Sequence, residues 1–358
     1  AKTAQSRLTV STDPSEYGES VVLEPAAQWT LYDQILSVSN VPEPKHPTDN
    51  PHLRFVFEAE GGDVLLDDVA IWLEGDTNPT AFRDDCVRML EAYRPGCIRN
   101  LQMGGSTLDN TLAPPLGRHA FASQRYTKVG PYERHSTHDY SLHEMYVLCE
   151  HVGADPWFCL PGTFSTDEMV RFMEYLGAPV GVGYGKRRAE LGHPKPWTEV
   201  FNHIHVEFGN EAWNNAGPYQ CGGFNGRDYW NDLIAAGKAS PHYRPNVLFH
   251  AAGQAANSWL NGGIMPRVAN ADCFGVAPYI IQSISKNDMT FLNTDTELFR
   301  WAFAWPIFRS VDEEGAMRRN FELAREHALE LSIYEVNHHI THGDGPLEPR
   351  NKIVTSIG

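Results

Sequence analysis

The sequence is short of positive charge and has no long apolar run. It contains 29 Lys and Arg against 45 Asp and Glu, which gives a formal net charge of −16. Phosphate binding needs a basic face, and no basic cluster is longer than Lys186-Arg187-Arg188. We therefore expect neither a nucleic acid nor an anionic membrane as a partner. No apolar run approaches the roughly 20 residues of a membrane-spanning helix.

The sequence also lacks a C-x-x-C pair, and its six cysteines are scattered. They are Cys86, Cys97, Cys149, Cys159, Cys221 and Cys273. Cys86 and Cys149 fall on apolar stripes of predicted helices, and Cys97 and Cys159 adjoin predicted strands. We expect buried free thiols, which leave the redox compartment open. The start at Ala1-Lys2-Thr3 shows no signal peptide and fits a mature or trimmed end. The location stays unknown, with a secreted or periplasmic protein favoured.

The secondary-structure pattern of the sequence changes near residue 75. A length of 358 residues allows one large domain or two moderate ones. Residues 1–74 hold short runs separated by Pro, Gly and Asn, and we predict strands at 20–24, 28–38, 52–60 and 63–73. From residue 75 onward, helical and strand patterns alternate. We therefore predict a β-rich segment at 1–74 and an α/β domain at 75–358.

Sequence signals for helix starts occur at several points in residues 75–358. Asn78-Pro79 predicts a helix start. The apolar face expected for that helix consists of Phe82, Cys86, Met89, Leu90 and Tyr93. Capping boxes that predict further helix starts pair Ser141 with Glu144, Ser165 with Glu168, and Ser310 with Glu313.

Six predicted strands alternate with these helices, which indicates a parallel sheet. They end near Arg99, Leu160, Asn210, His250, Tyr279 and Glu335. Long loops follow the strands, as in a (β/α)8 TIM barrel, whose active site lies at the strand C-termini. A barrel needs eight strands, so we expect the α/β fold to be an incomplete barrel and the chain to be a piece of a longer protein.

Two carboxylates stand out at strand ends. In the stretch 203–208 polar and apolar residues alternate, then Gly209 breaks the pattern and Asn210-Glu211 follow where the strand opens into a loop. Glu335 ends another strand, and in a barrel both side chains would point into one cleft. Two carboxylates in different surroundings can act as acid and as nucleophile, and retaining glycosidases hold them about 5–5.5 Å apart. A neutral substrate such as a sugar also suits the acidic composition.

Nearby residues suit supporting roles. Asn210 could hydrogen-bond a sugar hydroxyl beside the reacting carbon. Tyr279 could hold Glu335 through its phenol, and Arg99 could keep that carboxylate ionised by its charge. Flat faces for sugar rings are offered by Trp213, Trp259 and Trp305, although each is more often plain core.

One extended stretch resembles a known family. Residues 184–197, followed by Val206-Glu207-Phe208-Gly209-Asn210-Glu211, are similar to the segment that leads to the acid/base glutamate in the α-L-arabinofuranosidases of glycoside hydrolase family 51. Ile98-Arg99 with Gly104-Gly105 resembles the second strand of that family, and Tyr279 falls where its clan places a tyrosine on the sixth strand. Ile333-Tyr334-Glu335-Val336-Asn337 resembles the strand that carries the nucleophile. The likeness covers roughly residues 76–340.

The resemblance implies a retaining (β/α)8 glycoside hydrolase in which strands 2 to 7 are recognisable here. Glu211 would be the acid/base and Glu335 the nucleophile. Asn210, Arg99, Tyr279, Trp213 and Asn337 are the candidates for support and substrate binding. The sequence departs from the family at residues 100–103, at 212–214 and in the loop around residue 221, where substrate is chosen. No cofactor and no metal are expected, and the oligomeric state stays open.

The first segment resembles half of a jelly-roll carbohydrate-binding module of families four and nine. The likeness lies in residues 52–57 and 62–69. Some relatives insert such a module between the first barrel strand and the first helix. On that basis the first strand would precede Ala1, and the eighth strand and any C-terminal β-domain would lie beyond Gly358.

Two alternatives remain open. His203, His205 and Glu207 recur at every second position, so one strand face offers three metal ligands. Further histidines near Glu335 are His338, His339 and His342. The competing interpretation of this face is a barrel interior filled by hydrogen bonds. The second alternative is a non-catalytic barrel that binds carbohydrate.

Overall fold

The structure is a computed structural model that describes residues 6–39, 53–67, 77–100, 107–114, 140–214, 226–279, 294–311 and 315–337, with positions 69, 71, 74 and 75. The chain divides into two compact units, Ala1–Asn78 and Pro79–Gly358. Some residues singled out above lie outside the described part, namely Gly104, Gly105, Cys221, Glu313, His338, His339 and His342.

The first unit contains a three-stranded antiparallel sheet in the order β2-β1-β3. Its strands are β1 (Arg7–Asp13), β2 (Val21–Leu23) and β3 (Arg54–Glu60), and a 3-10 helix lies at Ser15–Tyr17. β2 and β3 confirm two predicted strands, whereas β1 was missed although its Leu8, Val10 and Thr12 alternate and are buried. The strand predicted at 28–38 is wrong: apart from a bridge between Val38 and Gly18, the segment is irregular, and its Leu31 is 93% exposed.

The second unit is organised by a parallel sheet. Within the described residues it has six strands: β4 (Cys97–Asn100), β5 (Asp155–Leu160), β6 (Ile204–Phe208), β7 (Val247–Ala252), β8 (Cys273–Val276) and β9 (Glu330–Ile333). Their spatial order equals their chain order, and every neighbouring pair is parallel. A doubly wound sheet would reverse its strand order part-way, whereas a barrel adds each strand to the same side. The predicted α/β class and barrel-type arrangement are confirmed.

Helices connect these strands. They are α1 (Asp84–Tyr93), α2 (Leu108–Thr111), α3 (Leu142–Val152), α4 (Thr166–Gly177), α5 (Gly183–Glu190), α6 (Arg227–Ala239), α7 (Ser258–Ile264), α8 (Asp295–Val311) and α9 (Ala316–Glu326), with 3-10 turns at Trp197–Glu199 and Met265–Arg267. None of the helices in the described part combines the length and apolar character that a bilayer crossing requires.

The predicted helix starts were right at two of three capping boxes. Ser141 with Glu144 and Ser165 with Glu168 cap α3 and α4. The third prediction is wrong, because Ser310 lies inside α8 and α9 starts after Gly315. A reciprocal pair that the sequence reading missed lies near the start of α8. There Thr294 accepts from the backbone of Glu297, and the Glu297 carboxylate accepts from the Thr294 backbone.

The buried face of α1 differs from the predicted one. The helix begins at Asp84 rather than after Asn78-Pro79, and its buried residue is Val87. Met89 and Tyr93 are 73% and 81% exposed. An apolar stripe shows that a helix is amphipathic but not which neighbour covers it. Of the thiols, Cys149, Cys159 and Cys273 are buried as expected, whereas Cys86 and Cys97 are exposed.

Alternate side chains give the sheet two unlike faces. Phe158, Val206, Phe249 and Phe274 face the helices and belong to the large apolar core. The intervening positions hold Arg99, Trp157, His205, Glu207 and His250, which are in register with one another across the strands. Because successive strand residues point to opposite faces, these polar side chains share the other side of the sheet. The outer face therefore packs against the helices, and the inner face holds polar and titratable side chains.

A buried arginine joins α4, α5 and the following loop. Arg188 is fully buried, although it belongs to the basic run 186–188. Its guanidinium donates to the backbone oxygens of Tyr175, Ala178, His193 and Pro194. Two of these carbonyls lie at the C-terminal end of α4, where a cation is favoured by the helix dipole. One side chain thus satisfies four backbone acceptors that would otherwise lack partners.

We expect Arg188→Met to destabilise the protein by more than about 3 kcal/mol, because each buried polar group left unpaired costs about 1–3 kcal/mol. Arg188→Lys should recover only part of this loss, since an ammonium cannot reach the same carbonyls as a planar fork. Urea unfolding measures both. Lys186→Met, on the exposed face of the same helix, is the control and should change stability by no more than about 0.5 kcal/mol. Equal losses of stability in Arg188→Met and Lys186→Met would contradict the role of Arg188 in joining α4, α5 and the following loop.

Candidate active site

The turn after β6 places one carboxylate at the edge of the sheet. Gly209 and Glu211 both adopt left-handed backbone conformations, with φ of 62° and 50°. For a residue with a Cβ this conformation costs roughly 1–2 kcal/mol. The backbone N–H of Asn214 donates to the carbonyl of Glu211 at 2.8 Å and closes the turn. The strained backbone conformation therefore lies at Glu211, the residue that the sequence indicated as the acid/base candidate.

A tyrosine joins the two candidate carboxylates. The phenolic oxygen of Tyr279 lies 3.5 Å from Oε1 of Glu211 and 3.2 Å from Oε2 of Glu335. The side-chain amide of Asn337 donates to the other oxygen of Glu335 at 2.8 Å. The structure therefore brings these four residues together at the C-terminal ends of β6, β8 and β9, where the sequence placed them.

The tyrosine stays protonated between its two acidic neighbours. Burial, together with the charges of Glu335 and Glu211, raises the pKa of Tyr279 well above its ordinary value. A phenol carries one O–H, so it donates to one carboxylate at a time. The contact with Glu335 is the shorter of the two, and Glu335 also accepts from the amide of Asn337. The phenol and this amide together orient the Glu335 carboxyl.

A cavity of about 250 Å³ lies in front of this group. It is lined by Glu211, Trp213, Asn214, Gln254, Ala255, Ala256, Ala277, Tyr279 and Tyr334. The indole N–H of Trp213 donates to the Tyr334 hydroxyl at 3.2 Å, which orients the ring at the cavity wall. Trp259, in contrast, is 85% exposed on α7 and does not line the cavity, and the side chain of Trp305 lies outside the described part.

Arg99 forms an ion pair with Glu207. Its guanidinium donates to both oxygens of Glu207, at 2.9 and 3.0 Å, and to Oδ1 of Asn210 at 3.0 Å. Among the described residues its acidic partner is Glu207, whereas the expectation that its charge keeps Glu335 ionised stays a prediction. The register sets Arg99 on the same inner face as Glu207, with β5 between their two strands. Sequence spacing alone cannot choose between two glutamates at strand ends.

The three residues of the metal alternative do not converge. Nδ1 of His205 lies 2.9 Å from Nε2 of His250, and Glu207 is engaged by Arg99. His203 is 54% exposed and faces Asp155. Within the described ranges no three His, Cys, Asp or Glu side chains are grouped as metal ligands require. The inner face is filled by hydrogen bonds instead.

Two of these histidines form a neutral hydrogen-bonded chain. Nδ1 of His250 lies 3.0 Å from Oγ of Ser332, and its Nε2 faces His205. Burial, then the neighbouring His205 and Arg99, lower the pKa of His250 well below its ordinary value. Burial and His203 also lower the pKa of His205, against the opposing effect of Asp155. Neither ring is charged near neutral pH, so each can serve as both donor and acceptor.

Sequence reasoning missed the loop after β7. Gln254 and Ala255 line the cavity, and the side chain of Asn261 pairs with both the N–H and the C=O of Gln254, at 3.0 and 2.9 Å. The fully buried Asn320 accepts from Asn261 at 2.6 Å and donates to the carbonyl of Ala255 at 2.8 Å. A Cβ at Gly253 would lie 2.4 Å from Oδ1 of Asn261. The signal for this loop in the sequence is Gly253-Gln254 directly after an apolar run.

Some known proteins are similar to this chain over part of its length. No protein-family model matches the chain. A probable α-L-arabinofuranosidase C from Aspergillus fumigatus is 28% identical over 119 residues, which are 33% of this chain and 22% of that protein. The corresponding protein from Aspergillus niger matches to the same extent. The chain is similar to the α-L-arabinofuranosidases. The resemblance to α-L-arabinofuranosidases that the sequence indicated is therefore confirmed by these curated relatives, over part of their length.

Solved structures support the fold. The family 51 arabinofuranosidase from Xanthomonas axonopodis pv. citri superposes with a TM-score of 0.54 at 16% identity, covering 73% of this chain and 51% of that one. A family 51 α-L-arabinofuranosidase from Bifidobacterium longum gives 0.54 at 15% identity, with the same coverage. At such identities the likeness concerns the fold, and this chain spans about half the length of those neighbours.

We expect the free energy of unfolding to fall as the pH drops below about 6.5, the ordinary pKa of histidine. The unfolded chain then binds a proton that the folded His250 does not, so acid favours unfolding until the lowered folded pKa is reached. His250→Asn should flatten this dependence, as measured by urea unfolding between pH 8 and pH 5. His327→Asn leaves the buried pair intact and should keep the wild-type slope. An unchanged slope in His250→Asn would refute the prediction.

Proposed function

We propose that this protein is a retaining glycoside hydrolase that cleaves O-glycosidic bonds of an oligosaccharide or polysaccharide, with an arabinofuranosidase-like site. The observation that carries the proposal is the Tyr279 phenol, which contacts both Glu211 and Glu335 beside a cavity. Because one phenolic oxygen contacts both carboxyls, the two groups are close enough to be compatible with the roughly 5–5.5 Å separation of retaining enzymes. The similarity to arabinofuranosidases supports the same chemistry.

In the first step Glu335 acts as the nucleophile. Its carboxylate accepts from Tyr279 and Asn337, and these two donors hold it in place. One oxygen attacks the anomeric carbon while the bond to the leaving oxygen breaks. Glu211 gives its proton to that leaving oxygen. The products of the step are the freed alcohol and a covalent glycosyl ester on Glu335.

In the second step the roles of Glu211 reverse. Its carboxylate takes a proton from water, and the resulting hydroxide oxygen attacks the anomeric carbon. The ester bond breaks, and Glu335 leaves as a carboxylate. Two inversions at one carbon retain its configuration. The longer contact of Glu211 with Tyr279, 3.5 Å, suits a carboxyl that alternates between acid and base.

The remaining candidates bind and orient the sugar. Asn210 directly precedes Glu211 and is held by Arg99, so its amide is fixed where it can meet a sugar hydroxyl. Trp213 lies at the cavity wall with its ring anchored on Tyr334. A cavity of about 250 Å³ is smaller than the roughly 300–1,000 Å³ of drug-sized sites and suits a single sugar unit.

Residues 1–74 form a separate part of the proposal. Their likeness to half of a jelly-roll carbohydrate-binding module leads us to propose a sugar-binding role for a β-rich segment of the same polypeptide. The antiparallel sheet of β1, β2 and β3 is compatible with a jelly-roll fragment.

We expect Glu335→Ala to lower kcat on 4-nitrophenyl α-L-arabinofuranoside by at least about a thousandfold, since it removes the group that forms the covalent bond. The measurement is release of 4-nitrophenolate at saturating substrate. Glu330→Ala, at the opposite end of β9, is the matched control and should retain wild-type rates. Unchanged activity in Glu335→Ala would end the nucleophile assignment. Sugar binding without turnover in the wild type would instead favour the non-catalytic barrel.

We expect Glu211→Ala to lose activity mainly on substrates with poor leaving groups, because 4-nitrophenolate departs without a general acid and an alkyl oxygen does not. Azide should restore turnover of the aryl glycoside and yield a glycosyl azide of retained configuration, since it needs no general base. Product analysis by NMR measures both. Uniform loss on all leaving groups, with no azide adduct, would argue against the acid/base role.

A further inference from the structure

A buried ion pair lies behind the candidate active site on the inner face of the sheet. Glu207 is 1% exposed, and the Arg99 side chain is 13% exposed. Oε2 of Glu207 accepts from the indole of Trp157 at 2.8 Å and lies 3.6 Å from the thiol of Cys159. With the two bonds from Arg99, the carboxylate is held from two strands besides its own. No step of the proposed reaction uses it.

The arginine of this pair reaches both catalytic strand ends. One of its terminal nitrogens donates to Asn210, which directly precedes Glu211. The guanidinium carbon also lies 4.8 Å from the centre of the Tyr334 ring, which directly precedes Glu335. A planar guanidinium can combine a bidentate carboxylate contact with stacking on an aromatic face. The pair therefore touches the residue before each proposed catalytic carboxyl.

We propose that Glu207 is a positioning residue of the active site: it fixes Arg99, through which Asn210 and Tyr334 are held, and it cancels the charge of Arg99 beside the strand ends that carry the two carboxyls. The inference rests on the proposed function, because it assigns a role relative to Glu211 and Glu335. It adds a residue that touches no substrate and acts through Arg99.

The groups around the ion pair explain why Glu207 balances the charge of Arg99. Among the residues that the structure describes, the titratable neighbours of the pair are Cys159, Tyr334 and His250. Burial, followed by Glu207, raises the pKa of Cys159, while burial and several nearby charges raise the pKa of Tyr334. Burial lowers the pKa of His250, so all three are uncharged near neutral pH. Glu207 is then the charge that balances Arg99, in a region where water screens little.

Replacing Glu207 by glutamine distinguishes a positioning role of the ion pair from a role in stability alone. Glu207→Gln keeps the shape but leaves Arg99 with an unbalanced positive charge near Glu211 and Glu335. A nearby positive charge favours the ionised form of a carboxyl, so the pKa of each should fall. A purely structural ion pair would instead lower stability and leave those pKa values unchanged. Glu207→Asp keeps the charge and should restore them.

The test is a pH titration of the intact protein labelled with ¹³C at the glutamate carboxyl carbons, assigned with Glu211→Gln and Glu335→Gln. We expect lower pKa values for both carboxyls in Glu207→Gln than in the wild type. On 4-nitrophenyl α-L-arabinofuranoside, the alkaline limb of kcat/KM should move to lower pH. The value of kcat should fall by up to about a hundredfold with little change in KM, as for a small misplacement of reacting groups.

Asp272→Asn is the matched control. It breaks another partly buried ion pair, Lys238 with Asp272 at 2.6 Å, at the start of β8 rather than at its catalytic end. The carboxyl pKa values should stay at their wild-type positions. If Glu207→Gln does not fold, Arg99→Met provides the same test with the opposite sign, since it leaves Glu207 unbalanced and should raise both pKa values. Failure of both variants to fold would overturn positioning in favour of a structural pair.

The titration does not depend on turnover, so the two proposals fail separately. Unchanged carboxyl pKa values in folded Glu207→Gln overturn the positioning role, even where the wild type hydrolyses the glycoside. Shifted pKa values in a protein that hydrolyses no glycoside support the coupling and refute the hydrolase. Equal shifts in Glu207→Gln and Asp272→Asn overturn the inference, because the effect would then be general.

Discussion

The two-sidedness of the parallel sheet is the constraint on which the other features depend. Phe158, Val206 and Phe249 on one face are buried against helices, so the strands cannot rotate or slip by one residue without burying polar groups in the apolar core. The opposite face is consequently fixed as well. Glu207 and His250 lie at one level across neighbouring strands because the outer side chains determine the register.

Many side chains of that inner face are buried, and burial determines their protonation. Burial raises the pKa of Tyr334 and of Cys159 and lowers the pKa of His250, because removal from water disfavours the charged form of each group. Charge persists where it is balanced, in Arg99 with Glu207. A buried ion pair is weak evidence for stability, because desolvation offsets much of the attraction. Its contacts with Asn210 and Tyr334, which precede the two proposed catalytic carboxyls, give a better reason for its presence.

At the C-terminal edge of the sheet, a residue in a strained backbone conformation lies in a turn that hydrogen bonds hold in place. Glu211 occupies a left-handed conformation that a glycine would adopt more easily, and the backbone around it is closed by a hydrogen bond. Across the cavity, the Asn261 and Asn320 amides hold the segment that carries Gln254. Fixing both walls before a ligand arrives reduces the entropy lost on binding. The cavity is therefore bounded by segments whose backbones are tied to the scaffold.

The sequence by itself determined the alternation of strands and helices, the two true capping boxes and the positions of Glu211, Tyr279 and Glu335 at strand ends. These follow from local periodicity and from the rule that parallel strands present their C-termini at one edge. Only the tertiary structure decided that Arg99 pairs with Glu207, that α1 exposes Met89 and that Asn320 braces a loop. Such pairings depend on register and on which elements become neighbours, and neither is written in the spacing of residues along the chain.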